Sequence, residues 1–393
     1  MITNIKISGF RSIEKQEVDL APLTVLYGPT ASGKSSLLYS LLVLKNFVAN
    51  PNQQSDGFFS IGFINLGGFD ACLFNHEPER EIKVLFSSED GEYGVAILKD
   101  KAEVYLKSNL GIEMKAKINI PYALNQNFTF QYKEKEDEYS INWNGITSSV
   151  APKQPTADTQ QRALELATQL NRIPEALKKI DIVPHKRGFF KPFYSPTTIS
   201  PIPTTEDEVA SLIINDPNLS PKISVDLEKI IERDFRLYTP PGTATVYFKS
   251  TDKKSRVPGD LVNDGFGVNQ IVYMLAKIHR VDIKTILIEE PEIHLHPKMI
   301  RYLVRVLYEI IRNEEKQIIL VTHSEILVSS LLAAIADKTV SPDDIKCYLA
   351  SKENKATIFQ HQEIQENGQI KGGLSSFMEG EIEDLKAMLG LKK

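Results

Sequence analysis

The pattern of apolar and polar residues changes three times along the chain. Two β-prone apolar runs, at 2–8 and 23–27, open the sequence, and the second leads through a glycine-rich turn into a leucine-rich helix. Residues 58–145 show short alternating runs separated by turn residues, which predicts an antiparallel β meander. From 155 to 236 the apolar spacing becomes helical, and a proline-rich loop at 184–203 interrupts it.

The C-terminal part of the chain alternates strands with helices. Strands are predicted at 285–288, 317–321 and 346–349, and helices at 267–280, 298–313 and 325–336. This alternation predicts βαβ units and a mainly parallel sheet. Because α/β patterning occurs at both ends of the chain, we interpret the middle as an insertion. The predicted domains are an N-terminal lobe with the β meander (1–150), an inserted helical and proline-rich subdomain (151–240) and a C-terminal lobe (241–393).

Composition narrows the class of protein. Of the 393 residues 42% are hydrophobic and 25% charged, which excludes a disordered, collagenous or coiled-coil chain. The two cysteines, Cys72 and Cys347, form no C-x-x-C pair, so a cysteine-based zinc or thioredoxin-like site is excluded. The net charge of −5 gives no global basic field. The N-terminus does not resemble a signal peptide, and the longest apolar stretch, near 326–336, is too short for a membrane span, so we expect a cytoplasmic protein without membrane contact.

The turn after the second apolar run fits the phosphate-binding pattern G-x-x-x-x-G-K-[ST]. Its residues are Gly28, Pro29, Thr30, Ala31, Ser32, Gly33, Lys34 and Ser35, and Ser36 follows. The motif lies between a predicted strand and a predicted helix, as its chemistry requires. Glycines let backbone N–H groups surround phosphates, Lys34 supplies a positive charge and the Ser35 hydroxyl can ligate Mg²⁺. The motif predicts ATP or GTP binding.

Two further predicted strands end in residues that carry chemistry. Strand 285–288 is followed by Glu289 and Glu290, and strand 317–321 leads to His323. A carboxylate beside a phosphate loop can hold Mg²⁺, and a second one can orient or deprotonate the attacking water. A solvated Glu pair and a structural histidine are the alternatives. Because the carboxyl ends of parallel strands share one edge of a sheet, we favour the catalytic interpretation.

Three weaker signals remain. A G-x-G segment at the start of a predicted helix comprises Asn263, Asp264, Gly265 and Gly267. It indicates a functional site only because the Glu289/Glu290 strand follows shortly after, and a simple helix-entry turn is the alternative. His294 and His296 with Glu292 form an H-x-H zinc pattern without a visible further ligand. An acidic run at 379–384 suggests either a metal-dependent nuclease or, as we favour, the solvated face of a last helix that buries residues such as Met388 and Leu389.

Taken together, these segments resemble the ABC-type ATPase heads of the SMC/RecF/OLD group, most closely the coiled-coil-free ATPases related to the OLD proteins. The matching segments are Phe10-Arg11-Ser12, the phosphate loop, the signature segment Gly265–Gln270, the Walker B and D-loop segment Glu289–Pro297, and the His switch Thr322–Ser324. The resemblance implies an α/β P-loop NTPase of ABC-head type, with a mixed or mainly parallel sheet, an antiparallel β lobe and an inserted helical subdomain. ATP and Mg²⁺ are the implied cofactors.

The resemblance also implies roles for individual residues. Arg11 approaches the nucleotide, Ser35 and Glu289 hold Mg²⁺, Glu290 activates water and His323 contacts the γ-phosphate. The signature residues of a second subunit complete the site, with Asn263 and Asp264 as candidates for the γ-phosphate contact and Gly265 and Gly267 beside them. Thr30-Ala31 departs from the family's Asn-Gly or Asn-Asn. The Q-loop position stays open among Gln53, Gln54 and Asp70.

The implied partner is a second copy of the chain, joined in an ATP-dependent homodimer. The group's usual setting is a DNA transaction such as repair or anti-phage defence. Candidate DNA contacts form two clusters, Lys186, Arg187 and Lys191 in one and Lys253, Lys254 and Arg256 in the other, with ordinary surface charge as the alternative. The rival function is a regulatory scaffold that recruits a separate nuclease or effector without binding DNA. A small-molecule kinase is disfavoured, because its carboxylate motif lacks a D-loop and His switch.

Overall fold

The computed structural model describes residues 1–78, 80–122, 126–373 and 387–389. Its strands are β1 Ile2–Phe10, β2 Ile13–Asp19, β3 Leu23–Tyr27, β4 Ile82–Ser88, β5 Gly91–Ile97, β6 Lys101–Ser108, β7 Glu113–Asn119, β8 Phe128–Glu134, β9 Asp137–Trp143, β10 Ser148–Pro152, β11 Ile180–Val183, β12 Arg233–Tyr238, β13 Tyr247–Asp252, β14 Pro258–Asp260, β15 Thr285–Glu289, β16 Gln317–Thr322, β17 Ile345–Glu353 and β18 Ala356–Gln362. Its helices are α1 Lys34–Ala49, α2 Phe69–Cys72, α3 Ala157–Lys178, α4 Glu206–Asn215, α5 Leu219–Ile231, α6 Phe266–Ile278, α7 Pro297–Glu314 and α8 Glu325–Ala336. No helix of these residues is long and apolar enough to cross a membrane.

A six-stranded central sheet carries the fold. Its order is β11-β15-β16-β3-β17-β18, and every neighbouring pair is parallel except β17 with β18. The predicted mainly parallel sheet is confirmed. Strands β15, β16 and β3 are direct neighbours, with Glu289 opposite Val321 and Thr322 opposite Tyr27. Their carboxyl ends therefore meet at one edge, where open α/β sheets bind ligands.

The predicted antiparallel meander is confirmed from residue 82 onward. Strands β2-β1-β4-β5-β6-β7 form one antiparallel sheet, and β10-β9-β8 form another. Residues 55–76 instead contain short helical turns, so the meander begins later than the alternating pattern suggested. Strand β2 is not predicted by the sequence pattern, because its only apolar residues, Ile13 and Val18, are five positions apart and give no alternation.

The central sheet separates two hydrophobic cores. One contains α1, α3 and the antiparallel sheets, and the other contains α4 to α8 with β12 and β13. Side chains of β3 alternate between them, because Leu26 faces the first core while Val25 and Tyr27 face the second. Helices on both faces of a mainly parallel sheet explain why its strands are almost entirely apolar.

The segment 151–240 contributes to both cores. Helix α3 packs on β10 and α1, whereas α4 and α5 pack against α6, and β11 between them joins the central sheet. Strands β11 and β12 interrupt the predicted helical stretch, since their polar residues Asp181, Arg233 and Asp234 obscure strand periodicity. The domain boundaries at 150 and 240 stay a prediction.

Two sequence expectations concern the C-terminus. The acidic run at 379–384 lies outside the described residues. Met388 and Leu389 are 85% and 63% exposed, so their predicted burial is wrong.

Candidate nucleotide-binding site

The phosphate loop connects the fully buried strand β3 to the start of α1 at Lys34. Gly28 and Gly33 have φ angles of 144° and 94°, which residues with a side chain rarely adopt. A Cβ at Gly28 would collide with the carbonyl oxygen of Ala350, and one at Gly33 would collide with the Thr357 hydroxyl. The loop therefore requires glycine at both positions. Its backbone curls against the neighbouring strands and leaves the N-terminus of α1 facing outward.

Lys34 lies within this loop and is only 8% exposed. Its ammonium donates hydrogen bonds of 2.8 Å to the carbonyl oxygens of Gly28 and Pro29. Burial lowers the pKa of Lys34, while the nearby carboxylates of Glu290 and Glu292 act in the opposite direction. The charge is thus held at the loop and balanced by the carboxylates across from it.

A cavity of about 440 Å³ opens on the loop. It is lined by Arg11, Ser12, Thr30, Ala31, Gly33, Lys34, Ser35, Ser36, Glu290, Val321 and Lys352. The structure thus brings Arg11 together with most of the predicted loop residues and Glu290. Three cations, a helix N-terminus and a glycine-dependent cradle fit a phosphate chain.

The two predicted metal ligands, Ser35 and Glu289, lie near the same part of α1. The Glu289 carboxylate is buried at the end of β15 and accepts a 2.8 Å hydrogen bond from the Tyr39 hydroxyl. Tyr39 lies one helical turn after Ser35 on α1. Burial and the Glu289 charge raise the pKa of Tyr39, so it stays a neutral donor. Ser35 lines the loop cavity whereas Glu289 is absent from its described lining, so Mg²⁺ binding by these two oxygen donors stays a prediction.

The two predicted catalytic residues are in contact. The Nδ1 atom of His323 lies 2.9 Å from Oε1 of Glu290, and both side chains are partly exposed. Glu290 has a positive φ of 46°, and its N–H donates to the carbonyl of Val321 at 2.9 Å. This turn directs the carboxylate towards the cavity that Lys34 faces. The arrangement suits a proton acceptor oriented by an imidazole.

Arg187 holds this turn from behind. Its guanidinium donates to the carbonyl oxygens of Pro184, Glu289 and Glu290 at 2.9, 2.7 and 2.8 Å. Arg187 is 3% exposed, and burial lowers its pKa to about 10. The predicted DNA contact at Arg187 is therefore wrong. Its guanidinium instead binds backbone carbonyl oxygens and so positions Glu289 and Glu290.

Glu292 is a buried carboxylate that sequence reasoning considered only as a zinc ligand. One oxygen accepts a hydrogen bond from the Thr322 hydroxyl, and the other has no partner within the described ranges. Burial raises the pKa of Glu292. Among the described residues no three His, Cys, Asp or Glu side chains form a metal-binding group, so the zinc alternative lacks a donor set.

The signature segment lies away from the phosphate loop. Asp264 pairs with Arg233 at 3.0 Å, and Gly265 directly precedes α6. Gly267 packs so closely on the carbonyl of His294 that a Cβ would lie 2.6 Å from its oxygen. The structure does not place any of the four predicted signature residues on the described cavity lining: Asn263, Asp264, Gly265 and Gly267. The open Q-loop candidates are also absent from that lining: Gln53, Gln54 and Asp70. The signature segment instead adjoins the D-loop.

The other predicted DNA contacts are largely neutralised. Lys191 pairs with Asp207 at 2.5 Å, Lys254 pairs with Glu232 at 2.6 Å, and Lys253 pairs with Glu228. Lys186 and Arg256 are exposed. Lys253 and Arg256 also line a surface cavity together with Arg236 and Lys249. Apart from Arg187, these DNA contacts stay a prediction.

Comparison with known proteins agrees with this geometry. The family model described as AAA ATPase domain matches residues 1–328. The chain belongs to this ATPase family. No curated protein sequence matches it significantly.

Comparison with solved structures returns SMC heads, and the first one below shares the fold of this chain. An SMC head bound to the C-winged helix domain of ScpA has a TM-score of 0.50 at 12% identity, covering 93% of this chain and 98% of that one. The SMC head domain from Thermotoga maritima gives 0.46 at 10% identity, covering 92% and 99%. The Pyrococcus furiosus Smc head with an extended coiled coil gives 0.47 at 10% identity, covering 98% and 99%. The expected α/β fold of a P-loop ATPase head is confirmed, in agreement with the resemblance to the SMC/RecF/OLD group.

Several residues of the site were missed from the sequence. Tyr39 could have been found, because it lies one helical turn from Ser35 on the same face of α1. Thr357, Lys352 and the positioning role of Arg187 depend on contacts between distant segments, for which the sequence offers no local signal.

Proposed function

We propose that this protein is a Mg²⁺-dependent ATPase that closes into a homodimer when ATP is bound. The observation that carries this proposal is the Glu290–His323 pair, whose atoms Oε1 and Nδ1 lie 2.9 Å apart and in which Glu290 lines the same cavity as Lys34. A carboxylate oriented by an imidazole beside a phosphate cradle is suited to the hydrolysis of a phosphoanhydride bond.

In the proposed mechanism, the loop amides and Lys34 bind the phosphate chain. Ser35 and Glu289 are the residues that would hold Mg²⁺, and the metal would supply neutralisation of the phosphate charge. Glu290 accepts a proton from the attacking water, and His323 orients Glu290 and contacts the γ-phosphate. Arg187 holds Glu289 and Glu290 in position through hydrogen bonds to the backbone carbonyl oxygens of these two residues. Catalysis is therefore mainly by positioning and electrostatics.

The position of the signature segment supports the dimer. The cavity is open, and the N-terminus of α6 lies elsewhere on the surface, beside His294 of the D-loop. A second copy can present that helix N-terminus to the phosphates, with its backbone N–H groups and dipole favouring negative charge. Hydrolysis then separates the two chains.

The setting that the resemblance implies is DNA repair or anti-phage defence. Pairing of Lys191, Lys253 and Lys254 with carboxylates favours the scaffold version of this function. In that version the ATP-closed dimer recruits a separate nuclease or effector and does not itself bind DNA phosphates.

Replacement of each carboxylate separately tests the mechanism. Glu290→Gln keeps the shape but removes the proton acceptor, so we expect ATP to bind while hydrolysis slows by roughly 100-fold or more. That variant should form a stable dimer with ATP and Mg²⁺ in light scattering. Glu289→Gln should instead weaken Mg²⁺-dependent assembly. A Glu290→Gln protein that stays monomeric at saturating ATP, or hydrolyses at the wild-type rate, would contradict the proposal.

A further inference from the structure

Strand β17 extends beyond the phosphate-loop strand at the ligand edge of the sheet. Its pairing with β3 ends at Leu349 opposite Tyr27, and the residues that follow pair only with β18. Gly28 begins the loop against the carbonyl of Ala350. The C-terminal residues of β17 therefore extend past the end of β3 beside the phosphate loop.

The β17–β18 hairpin is tied to this loop by Thr357. The Thr357 hydroxyl donates to the carbonyl of Ser32 at 2.9 Å, and its N–H donates to the carbonyl of Ser12 at 2.7 Å. Thr357 is fully buried and lies directly opposite Lys352 in the antiparallel register. These bonds fix the backbone that carries Lys352 relative to the loop. A side chain supported in this way is held ready for binding.

Lys352 itself points to a binding role. It lines the loop cavity together with Arg11 and Glu290, although it belongs to none of the recognised motifs. Its ammonium has no hydrogen-bond or ion-pair partner in the described part of the chain, whereas Lys34 is bonded to loop carbonyls. An unpaired lysine in a cavity built for phosphate is a point charge suited to a phosphate oxygen.

We propose that Lys352 is a second phosphate-binding lysine, whose ammonium contacts the phosphate chain of a nucleotide bound in the same subunit. The inference rests on the proposed nucleotide-binding function and names a residue of that site. It makes the C-terminal hairpin part of the nucleotide site, so residues after the His switch contribute to binding within one chain.

Binding of ADP to the full chain tests this role without hydrolysis. Lys352→Gln keeps the length of the stem but removes the charge, and we expect the Kd for ADP, measured by calorimetry, to rise roughly 5- to 10-fold. The dependence of Kd on salt should also become weaker, because one phosphate contact is lost. Lys352→Arg should restore most of the affinity. Lys355→Gln, on the same hairpin but outside the cavity lining, is the matched control and should bind like wild type.

The outcomes separate the two proposals. If wild-type protein binds neither ADP nor ATP, the proposed function fails. If wild type binds and Lys352→Gln matches Lys355→Gln, the role of Lys352 is wrong. An Lys352→Arg protein as weak as Lys352→Gln would also overturn it, since charge would then not determine affinity. Because Lys352 is exposed, both glutamine variants should melt like wild type without nucleotide.

Discussion

The phosphate-loop edge and the signature face of this ATPase are built in opposite ways. At the loop edge Lys34, Arg187 and Glu289 are almost fully buried, and each makes several hydrogen bonds within the chain. We call the surface around Phe190, Phe266 and His294, at the start of α6, the signature face. There Phe190 and Phe266 are 52% and 61% exposed. The difference fits the proposed dimer, in which one half of the site is organised within a single chain and a second copy covers the other half.

The physical cost of burying charge explains the first half. A buried guanidinium such as that of Arg187 costs less free energy when its donors are paired, and here three carbonyl oxygens accept from its two terminal nitrogens. That requirement also fixes the turn that carries Glu290. The signature segment has an ion pair of its own between Asp264 and Arg233. Its aromatic side chain is less constrained, because among the described aromatic pairs the ring of Phe266 lies near only Phe190 and His294, with ring centroids 6.4 and 5.6 Å away.

Removal of the loop lysine should have the largest effect. Lys34→Ala deletes the charge that the cradle directs at the phosphates, so we expect ATP binding and hydrolysis to fall below detection. The check is steady-state ATPase activity together with calorimetric ATP binding. Circular dichroism of the nucleotide-free variant controls for folding. Wild-type activity in a folded Lys34→Ala protein would show that the loop edge is not the catalytic half.

The central sheet and the loop edge could largely be predicted from sequence. The central parallel strands are largely apolar, the phosphate loop with Lys34 follows β3, Glu289 ends β15 and His323 directly follows β16. Since neighbouring strand ends converge, local order along the chain was enough to bring these residues together. The signature face was predictable only through the family resemblance.

The supporting contacts could not be predicted, because they join segments far apart in sequence. Arg187 was interpreted as a surface cation, since neighbouring Lys186 and Lys191 are exposed and nothing local marks its burial. Thr357 and Lys352 reach the loop from more than three hundred residues away, through a hairpin whose register depends on the whole sheet. Such contacts follow from tertiary packing, which periodicity does not encode.

A substitution at the signature face should separate assembly from folding. Phe266→Ser removes an exposed aromatic anchor, so we expect unchanged thermal stability but roughly 10-fold weaker ATP-dependent dimerisation in the Glu290→Gln background. Leu164→Ser changes a comparably exposed apolar residue on α3 and is the matched control. Light scattering over a concentration series gives the dimer affinity. Equal affinities for the two variants would remove the proposed role of the signature face.

The far end of the signature helix offers a smaller and pH-dependent test. His279 directly follows α6 and is 4% exposed, with Nε2 3.0 Å from Asp226 and Nδ1 2.9 Å from Glu314. Lys222 faces Glu314, while Lys229 joins Asp226 to Glu309. This cluster ties α5, α6 and α7 together behind the signature segment.

The direction of the pH effect follows from the pKa shifts. Burial alone lowers the pKa of His279, but hydrogen bonds to Asp226 and Glu314 outweigh it and raise the pKa above the ordinary 6.5. Its stabilising contribution is therefore complete below pH 6.5 and is lost as pH rises through the folded pKa. Burial alone raises the pKa of Glu314, but hydrogen bonds with His279 and Lys222 outweigh it and lower the pKa to about 2. The stabilising contribution of the Glu314 carboxylate is therefore lost only in acid. Burial lowers the pKa of Lys316, which lies 3.7 Å from Glu314, to about 8, and this acts in the opposite direction near that pH.

The informative interval is therefore from about pH 6 to about pH 7.5, where histidine titrates and Lys316 stays largely charged. Over that interval the melting temperature of wild type should fall by roughly 1–2 °C more than that of His279→Gln, which cannot titrate. Circular dichroism melting of both proteins gives the difference, and subtracting the result for the variant removes the contribution of the other titrating groups.

The Kd for ADP should change with pH in the same way in the two proteins across this interval, since the cluster lies behind the signature helix and not on the loop cavity. Parallel melting curves would show that His279 does not stabilise the signature half through its charge. A change in ADP affinity that accompanies the melting difference would show instead that the two halves are mechanically coupled within one chain.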